Sequence, residues 1–380
     1  MKTGHLESHI IRLTTIGPVF VGAGYSSTKK EYLYDERHKK VYMLDFKKWM
    51  AYLEKRKLVD NYITFINSGE RSLFQWCRQH RIEEGDFAEF VHYTMDAGDA
   101  ILPNKPLIGI QQFIKNGKGE PYIPGSSLKG AIRTALLAKL VKEKGSGARH
   151  FRELKNAAEL AGRDGRPLPP RRNEKLGKKT EEIENNHFHM LSFDPENEHN
   201  AVNSIMKAVS ISDSEPFSVD RLVPCVKLDI SKSGKENGLN LTRECIKPGT
   251  EIVFRLSLDT TLLKNTPLNI NFIREAIKEF SDSYHKDYAS KFTAVKECAA
   301  ELDKPVIYLG GGAGFHSKTV ISSLEEYNKT LRLTADLMAR MFPDHHHDND
   351  VRAGVSPHMI KFTKCNGQLL PFGKCSLVFE

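Results

Sequence analysis

The order in which strand-like and helix-like segments follow one another constrains this chain more than any other feature. Residues 9–15 (HIIRLTT) are rich in β-branched side chains and read as a strand, which runs into a glycine-punctuated turn from Gly17 to Gly24. Short strands follow at 32–34 and 40–44. From 46 to 92 the period becomes helical, with Phe46, Trp49, Met50 and Leu53 at i, i+3, i+4 and i+7. A strand is expected at 107–114. A helix is expected over 131–144, where Leu128, Ile132, Leu136 and Leu140 give it an apolar stripe. Strand-like order returns at 208–212, 219–230 and 251–258. Phe272, Ala276, Phe280 and Tyr284 lie four apart and mark a helix over 271–288. A strand at 306–309, a helix near 331–341 and closing strands near 361–363 and 376–379 complete the order. Strands in both halves without clean βαβ alternation predict an α+β fold, repeated twice, rather than a doubly wound parallel sheet.

The chain has 380 residues, and at about 150 residues per domain this length predicts two domains. The stretch 144–186 is crowded with Gly, Pro and charges, among them Arg171, Arg172, Lys175, Lys178 and Lys179, and reads as a mobile surface insertion. No run of 18 apolar residues is present, so no membrane span is expected. The opening residues lack the layout of a secretory signal, and the chain reads as cytoplasmic. Six cysteines at 77, 225, 245, 298, 365 and 375 form no C-x-x-C pair, which argues against a zinc ribbon or a disulfide framework. The net charge of +8 points toward a polyanionic partner.

Two segments fit such a partner. In the first, Pro124-Gly125 makes a turn, Ser126 or Ser127 is expected to cap the following helix, and the amides of that helix start form an anion site. Lys129 and Arg133, four apart, project from one face within about 6 Å of each other at Cβ. In the second, Gly310, Gly311, Gly312 and Gly314 precede Phe315, His316 and Lys318. The loop matches neither Walker A, which needs a glycine where Ser317 stands, nor the dinucleotide fingerprint. Four glycines exceed what a turn requires, so close approach of a ligand is expected there.

Catalytic constellations are hard to find. Asp344-His345-His346-His347-Asp348 lacks the i, i+4 spacing of a helical metal site and reads as a solvated loop. No G-x-S-x-G, H-E-x-x-H or paired-carboxylate spacing stands out. No cofactor, metal site or catalytic residue is therefore expected. His316 beside Lys318 is the one candidate for general acid or base work without a metal.

The stretch from Pro124 to Arg133 (PGSSLKGAIR), together with the late GGGAGFHSKT of residues 310–319, resembles the RAMP superfamily of CRISPR-associated proteins. Within it, the resemblance is to the fifth-subunit (Csm) family of type III-A effector complexes. Residues 17–24, Ile211-Ser-Asp-Ser214, and residues 356–361 with Asn366-Gly367 add to it. The resemblance implies two tandem ferredoxin-like (RRM-like) RAMP domains with helical and loop insertions. The first would span 1–205, with a helical insertion at 46–92 and the charged insertion at 144–186. The second would span 206–380 and carry the glycine loop 310–318. The implied function is a crRNA-binding subunit of a ribonucleoprotein. It would hold the 3′ part of the crRNA, contact other Csm subunits and host nucleases, and contribute to crRNA maturation and antiviral defence through recruited nucleases as much as through chemistry of its own. RNA contacts are implied at Gly125, Ser126, Ser127, Lys129, Gly130 and Arg133, and at Gly310, Gly311, Gly312, Gly314, Phe315, His316 and Lys318. Superfamily members that cleave RNA often carry His or Asp in or after the first glycine loop. Here neither appears between Phe20 and Asp35, so no intrinsic nuclease is expected; the alternative is a metal-independent endoribonuclease that processes crRNA itself.

Overall fold

A computed structural model describes residues 2–69, 72–102, 107, 109–161, 174–297 and 304–380. Strands and helices are mixed along the chain, as the α+β expectation requires, and most strands gather into two six-stranded sheets. The first runs in the order Val306–Tyr308, Lys374–Phe379, Leu6–Thr15, Glu251–Asp259, Val209–Ile211, with the short Lys2–Thr3 also on Leu6–Thr15. Leu6–Thr15 is central, and its alternation buries Ile11, Leu13 and Thr15 on one face. Ile11 stands opposite Phe254 and Phe379, and Leu13 opposite Ile252 and Leu377. These pairings are antiparallel, as is that of Glu251–Asp259 with Val209–Ile211.

Two helices share the core of this sheet. Leu128 and Ile132 of Gly125–Glu143, and Ile273 and Ile277 of Ile270–Asp287, cluster with Ile11, Leu13, Phe254 and Leu256. Lys139 bridges the helices, its ammonium 2.5 Å from Glu279 and 3.4 Å from Glu275.

The second sheet runs Gln368–Pro371, Met359–Cys365, Leu222–Ser231, Glu236–Ile246, Gly109–Phe113, Gly22–Thr28. It is antiparallel except where Glu236–Ile246 meets Gly109–Phe113. Gly22–Thr28, Glu236–Ile246 and Gln368–Pro371 are strands that the hydrophobic pattern did not announce. Both sheets draw strands from either side of residue 205, so the boundary expected there runs through each of them.

The helical stretch expected from residue 46 onward holds Phe46–Lys55, Val59–Asn67 and Leu73–Gln79. Asp45 and Ser72 cap the first and third by accepting the backbone N–H of Lys48 and Gln75. With the sheet Tyr32–Asp35, Lys40–Leu44, Val91–Asp96, these helices enclose a separate aromatic core. Trp49 is its centre, with Phe90, Tyr62 and Trp76 at ring-centroid distances of 4.7, 5.6 and 6.1 Å. The fully buried Glu244 ties this unit to the second sheet. It accepts from Lys115 at 2.6 Å, from the Phe113 N–H at 2.9 Å and from the Tyr93 hydroxyl.

The described residues of the 144–186 stretch, where a mobile insertion was expected, are largely helical. Gly147–Ala161 and Glu174–Phe188 are helices. The polar composition hides a narrow apolar stripe: Leu154, Ala157 and Ala158 on one helix, Ile183 and Phe188 on the other, all buried. Arg171 and Arg172 lie outside the described residues.

Candidate nucleic-acid interface

The first expected anion site is filled by the protein itself. The helix begins at Gly125 with Pro124 as its cap residue and no side-chain cap, so neither Ser126 nor Ser127 takes the role assigned to it. The Ser127 N–H donates to the Pro124 carbonyl at 2.9 Å. The Gly125 N–H donates to the Asp213 carboxylate at 2.8 Å, which puts a negative charge where an external anion was expected. A Cβ on Gly125 would lie 2.2 Å from the Ile211 carbonyl oxygen, so this glycine serves a backbone crossing. Lys129 donates to the carbonyls of Met206 (2.9 Å) and Val209 (2.6 Å). Burial, then Arg133, lowers its pKa. Arg133 pairs with Glu184 and lies over the Phe188 ring. Ser126 and Gly130 remain exposed.

The glycine loop is a meeting of chain segments. Gly310 has φ +74°, and a Cβ there would lie 2.0 Å from the Phe20 carbonyl oxygen. The same oxygen accepts the Gly311 N–H at 2.8 Å. Gly17 is held as closely: its Cβ would lie 1.8 Å from the Pro371 carbonyl oxygen. Backbone contact within the protein therefore accounts for Gly310. Gly312 (φ +97°) and Gly314 (φ +99°) instead face side chains, the first 2.7 Å from Arg243 Nη1 and the second 3.4 Å from Lys361 Cγ, measured from an added Cβ. Phe315 is half-buried, and the exposed Lys318 donates its ammonium to the Gly310 carbonyl.

Those two neighbours belong to a basic cluster that sequence reasoning missed. In Leu222–Ser231, alternation places Lys227 and Asp229 on one face, and the register sets Lys361 opposite Asp229 and Arg243 opposite Gln111. Lys361 lies 2.7 Å and Lys227 3.5 Å from Asp229 Oδ1. Arg243 lies over the rings of Phe20 and Phe372, with centroid distances of 5.3 and 5.7 Å, and donates Nε–H to Gln111 at 3.0 Å. Its Nη1 is buried without a hydrogen-bond partner. Lys227 and Lys361 thus share Asp229, whose charge also reaches Arg243, while burial and then Arg243 lower the pKa of Lys318. Burial, then the charge of Lys361, pushes the Lys227 ammonium down to about 8. The signal was present as alternation in a predicted strand, but Arg243 sat on a strand the pattern did not reveal.

The histidines divide. His316 is buried against Tyr288, with Nε2 2.6 Å from the Ser356 carbonyl oxygen, and burial lowers its pKa to about 4. His345 and His346 are exposed as expected for a solvated loop, whereas His347 is buried. His346 adopts a left-handed conformation (φ 57°), and the reversal of the chain carries His347 inward.

Residues 12–315 match the model of the RAMP superfamily. A CRISPR system protein Csm5 of Mycobacterium tuberculosis is 27% identical over 393 residues, covering 98% of each chain. The Csm5 of Streptococcus thermophilus is 28% identical over 331 residues, covering 83% of this chain and 80% of its own. A chain in the ternary complex of Csm, crRNA and target RNA from a type III-A CRISPR–Cas system superposes with a TM-score of 0.65 at 18% identity, covering 97% of this chain and 100% of that one. T. onnurineus Csm5 superposes at 0.62 with 17% identity, covering 96% and 99%. At those identities the two structures share a fold with this one. The family match extends over most of the chain, with strands of both sheets and much of the glycine loop, and so the chain belongs to the RAMP superfamily and resembles the Csm5 proteins of type III-A systems.

Proposed function

We propose that this protein is the Csm5-type subunit of a type III-A Csm ribonucleoprotein and binds the 3′ part of the crRNA without chemistry of its own. The observation that carries the reading is the basic cluster on the second sheet. Two lysines pair with one carboxylate whose charge also reaches Arg243, Lys318 adds a fourth cation that feels Arg243, and a buried guanidinium nitrogen lacks an acceptor. Phosphate oxygens supply both the missing charge and the missing acceptor. The glycine loop borders the same cluster, so RNA contact at Gly312, Gly314 and Lys318 follows from one arrangement. The likeness to Csm5 proteins supports other Csm subunits as partners; in this reading maturation is left to recruited nucleases.

The two ferredoxin-like units expected from the sequence fit the two sheets better than the two halves of the chain. In the first sheet the four strands Lys374–Phe379, Leu6–Thr15, Glu251–Asp259 and Val209–Ile211 have the order 4-1-3-2. A helix connects the first to the second of these in chain order and another follows the third, which is the split βαβ arrangement. The endoribonuclease alternative finds no support. His316 is held neutral at pH 7 by burial, and its Nε2 is engaged by a carbonyl.

The test is purification of the tagged chain from its host as wild type and as Lys227→Gln/Lys361→Gln. The reading expects Csm proteins and short crRNAs with the wild type, and RNA depleted at least tenfold relative to protein with the variant. Equal RNA recovery with both would refute the proposed interface.

A further inference from the structure

The buried histidine has partners that point to a metal site. His347 Nδ1 lies 2.8 Å from one carboxylate oxygen of Asp350, and His358 Nδ1 lies 2.5 Å from the other. Ligand atoms of all three residues fall within 4.8 Å of one another. The Asp350 side chain is 1% exposed, that of His347 7% and that of His358 27%. The two rings approach to 4.6 Å between centroids. The buried Ser356 hydroxyl lies beside the same carboxylate without a well-formed hydrogen bond of its own. None of these groups takes part in the RNA-binding reading.

We infer that His347, Asp350 and His358 bind a divalent transition-metal ion of the zinc class. A carboxylate withdrawn from water needs a compensating cation. Two imidazoles can supply it only by carrying protons, whereas an ion held between the three groups supplies it outright. The donor set of two nitrogens and one oxygen suits Zn²⁺ and Co²⁺ and is poor for Mg²⁺ or Ca²⁺, which require oxygen. The present spacings are hydrogen-bond lengths. An ion at about 2.0–2.1 Å from each donor replaces the Nδ1 protons and moves the two nitrogens off the carboxylate oxygens they now touch. The fourth position falls to water or to the Ser356 hydroxyl.

The ion has a structural task. Ser356 offers its carbonyl to His316 of the glycine loop, and Tyr327 donates its hydroxyl to the Gly354 carbonyl at 2.6 Å. Closing His347 onto His358 fastens this segment at a third point and so steadies the support beneath residues 310–318. A second cluster, Asp35, His38 and Glu84, has two exposed members and provides the control.

The test uses the full chain without a histidine tag. Elemental analysis of the protein as isolated is expected to give about one zinc per chain. After chelation, Co²⁺ added alone is expected to restore one equivalent with visible d–d absorption, and each ion is expected to raise the melting temperature. His358→Ala, the most exposed of the three ligands, is expected to fold by circular dichroism and to lose the ion; His347→Ala is expected to lose it too. His345→Ala, His346→Ala and His38→Ala are expected to keep it. Wild-type protein that neither contains zinc nor takes up Co²⁺, retention of the ion by His358→Ala, or its loss through His345, His346 or His38 alone would each overturn the proposal.

Discussion

The helix start at Gly125–Arg133 and the sheet face around Arg243 both carry cations beside glycines, yet the protein treats them oppositely. At the helix start every charge has been answered from within: Asp213 takes the amide, two carbonyls take Lys129, and Glu184 takes Arg133. On the sheet face two lysines and an arginine gather about one aspartate, and a third lysine feels the arginine. The first arrangement stabilises the fold, and the second is ready for a polyanion. Motif composition does not distinguish them; the partners do.

The largest effect expected from breaking this contrast is at the glycine seam. Gly310→Val drives a Cβ into the Phe20 carbonyl and forces a β-branched residue to positive φ. Loss of more than about 4 kcal/mol, read as failure to accumulate folded protein, is expected. A Gly312 substitution meets only a side chain end and a ring edge, and is expected to cost less stability while lowering RNA affinity. Next in size is Lys129→Ala. Removing a charged donor from two carbonyls is expected to cost about 1.5–3 kcal/mol in denaturant titration, with RNA affinity per folded molecule unchanged. Equal loss of both would merge the two regions into one interface.

Lys227→Gln/Lys318→Gln is expected to show the reverse. Melting temperature should hold within a few degrees, RNA affinity should fall about tenfold, and the salt slope should shrink by about 1.4, or 0.7 for each phosphate no longer neutralised. The smallest effect is in pH. Lys227 has its pKa lowered from 10.5 to about 8, so in free protein it is charged below 8 and loses its proton above. RNA binding must restore that proton, and affinity is expected to fall with rising pH above 8, with a flat profile in Lys227→Gln. Folding stability takes the other sign. Between 8 and 10.5 the unfolded chain binds the proton more tightly, so this group's contribution to stability rises with pH.

Periodicity made the strand around Ile11 and Leu13, the helices through Ile132 and Ile277, and the aromatic helices around Trp49 legible, because each buries one regular face. It could not show Glu236–Ile246, whose outer half is exposed and whose register shifts between Gly238 and Thr242. Arg243 was therefore out of sight, and its neighbours Gln111, Gly312 and Phe372 come from distant parts of the chain. The glycines were legible as special positions, though not their cause, since a carbonyl at Phe20 and a ligand demand the same small residue. His347 was read with its two neighbours because a left-handed residue gives no sign in composition. Its partners Asp350 and His358 lie farther along and are brought in by the fold.

The central strand Leu6–Thr15 has its flanking partners at Glu251–Asp259 and Lys374–Phe379. During synthesis that strand leaves the ribosome with only the two-residue Lys2–Thr3 beside it, and its second edge waits until Lys374–Phe379 has emerged. Long-range pairing of this kind is slow, and it leaves an apolar strand exposed meanwhile. The aromatic unit of residues 32–96 has its own local core and is free of that wait. Nascent-chain proteolysis is therefore expected to find the aromatic unit protected early and Leu6–Thr15 protected only once Lys374–Phe379 has emerged. Chaperone demand and truncation sensitivity of this protein would then be set by where in the chain its central strand finds its last partner.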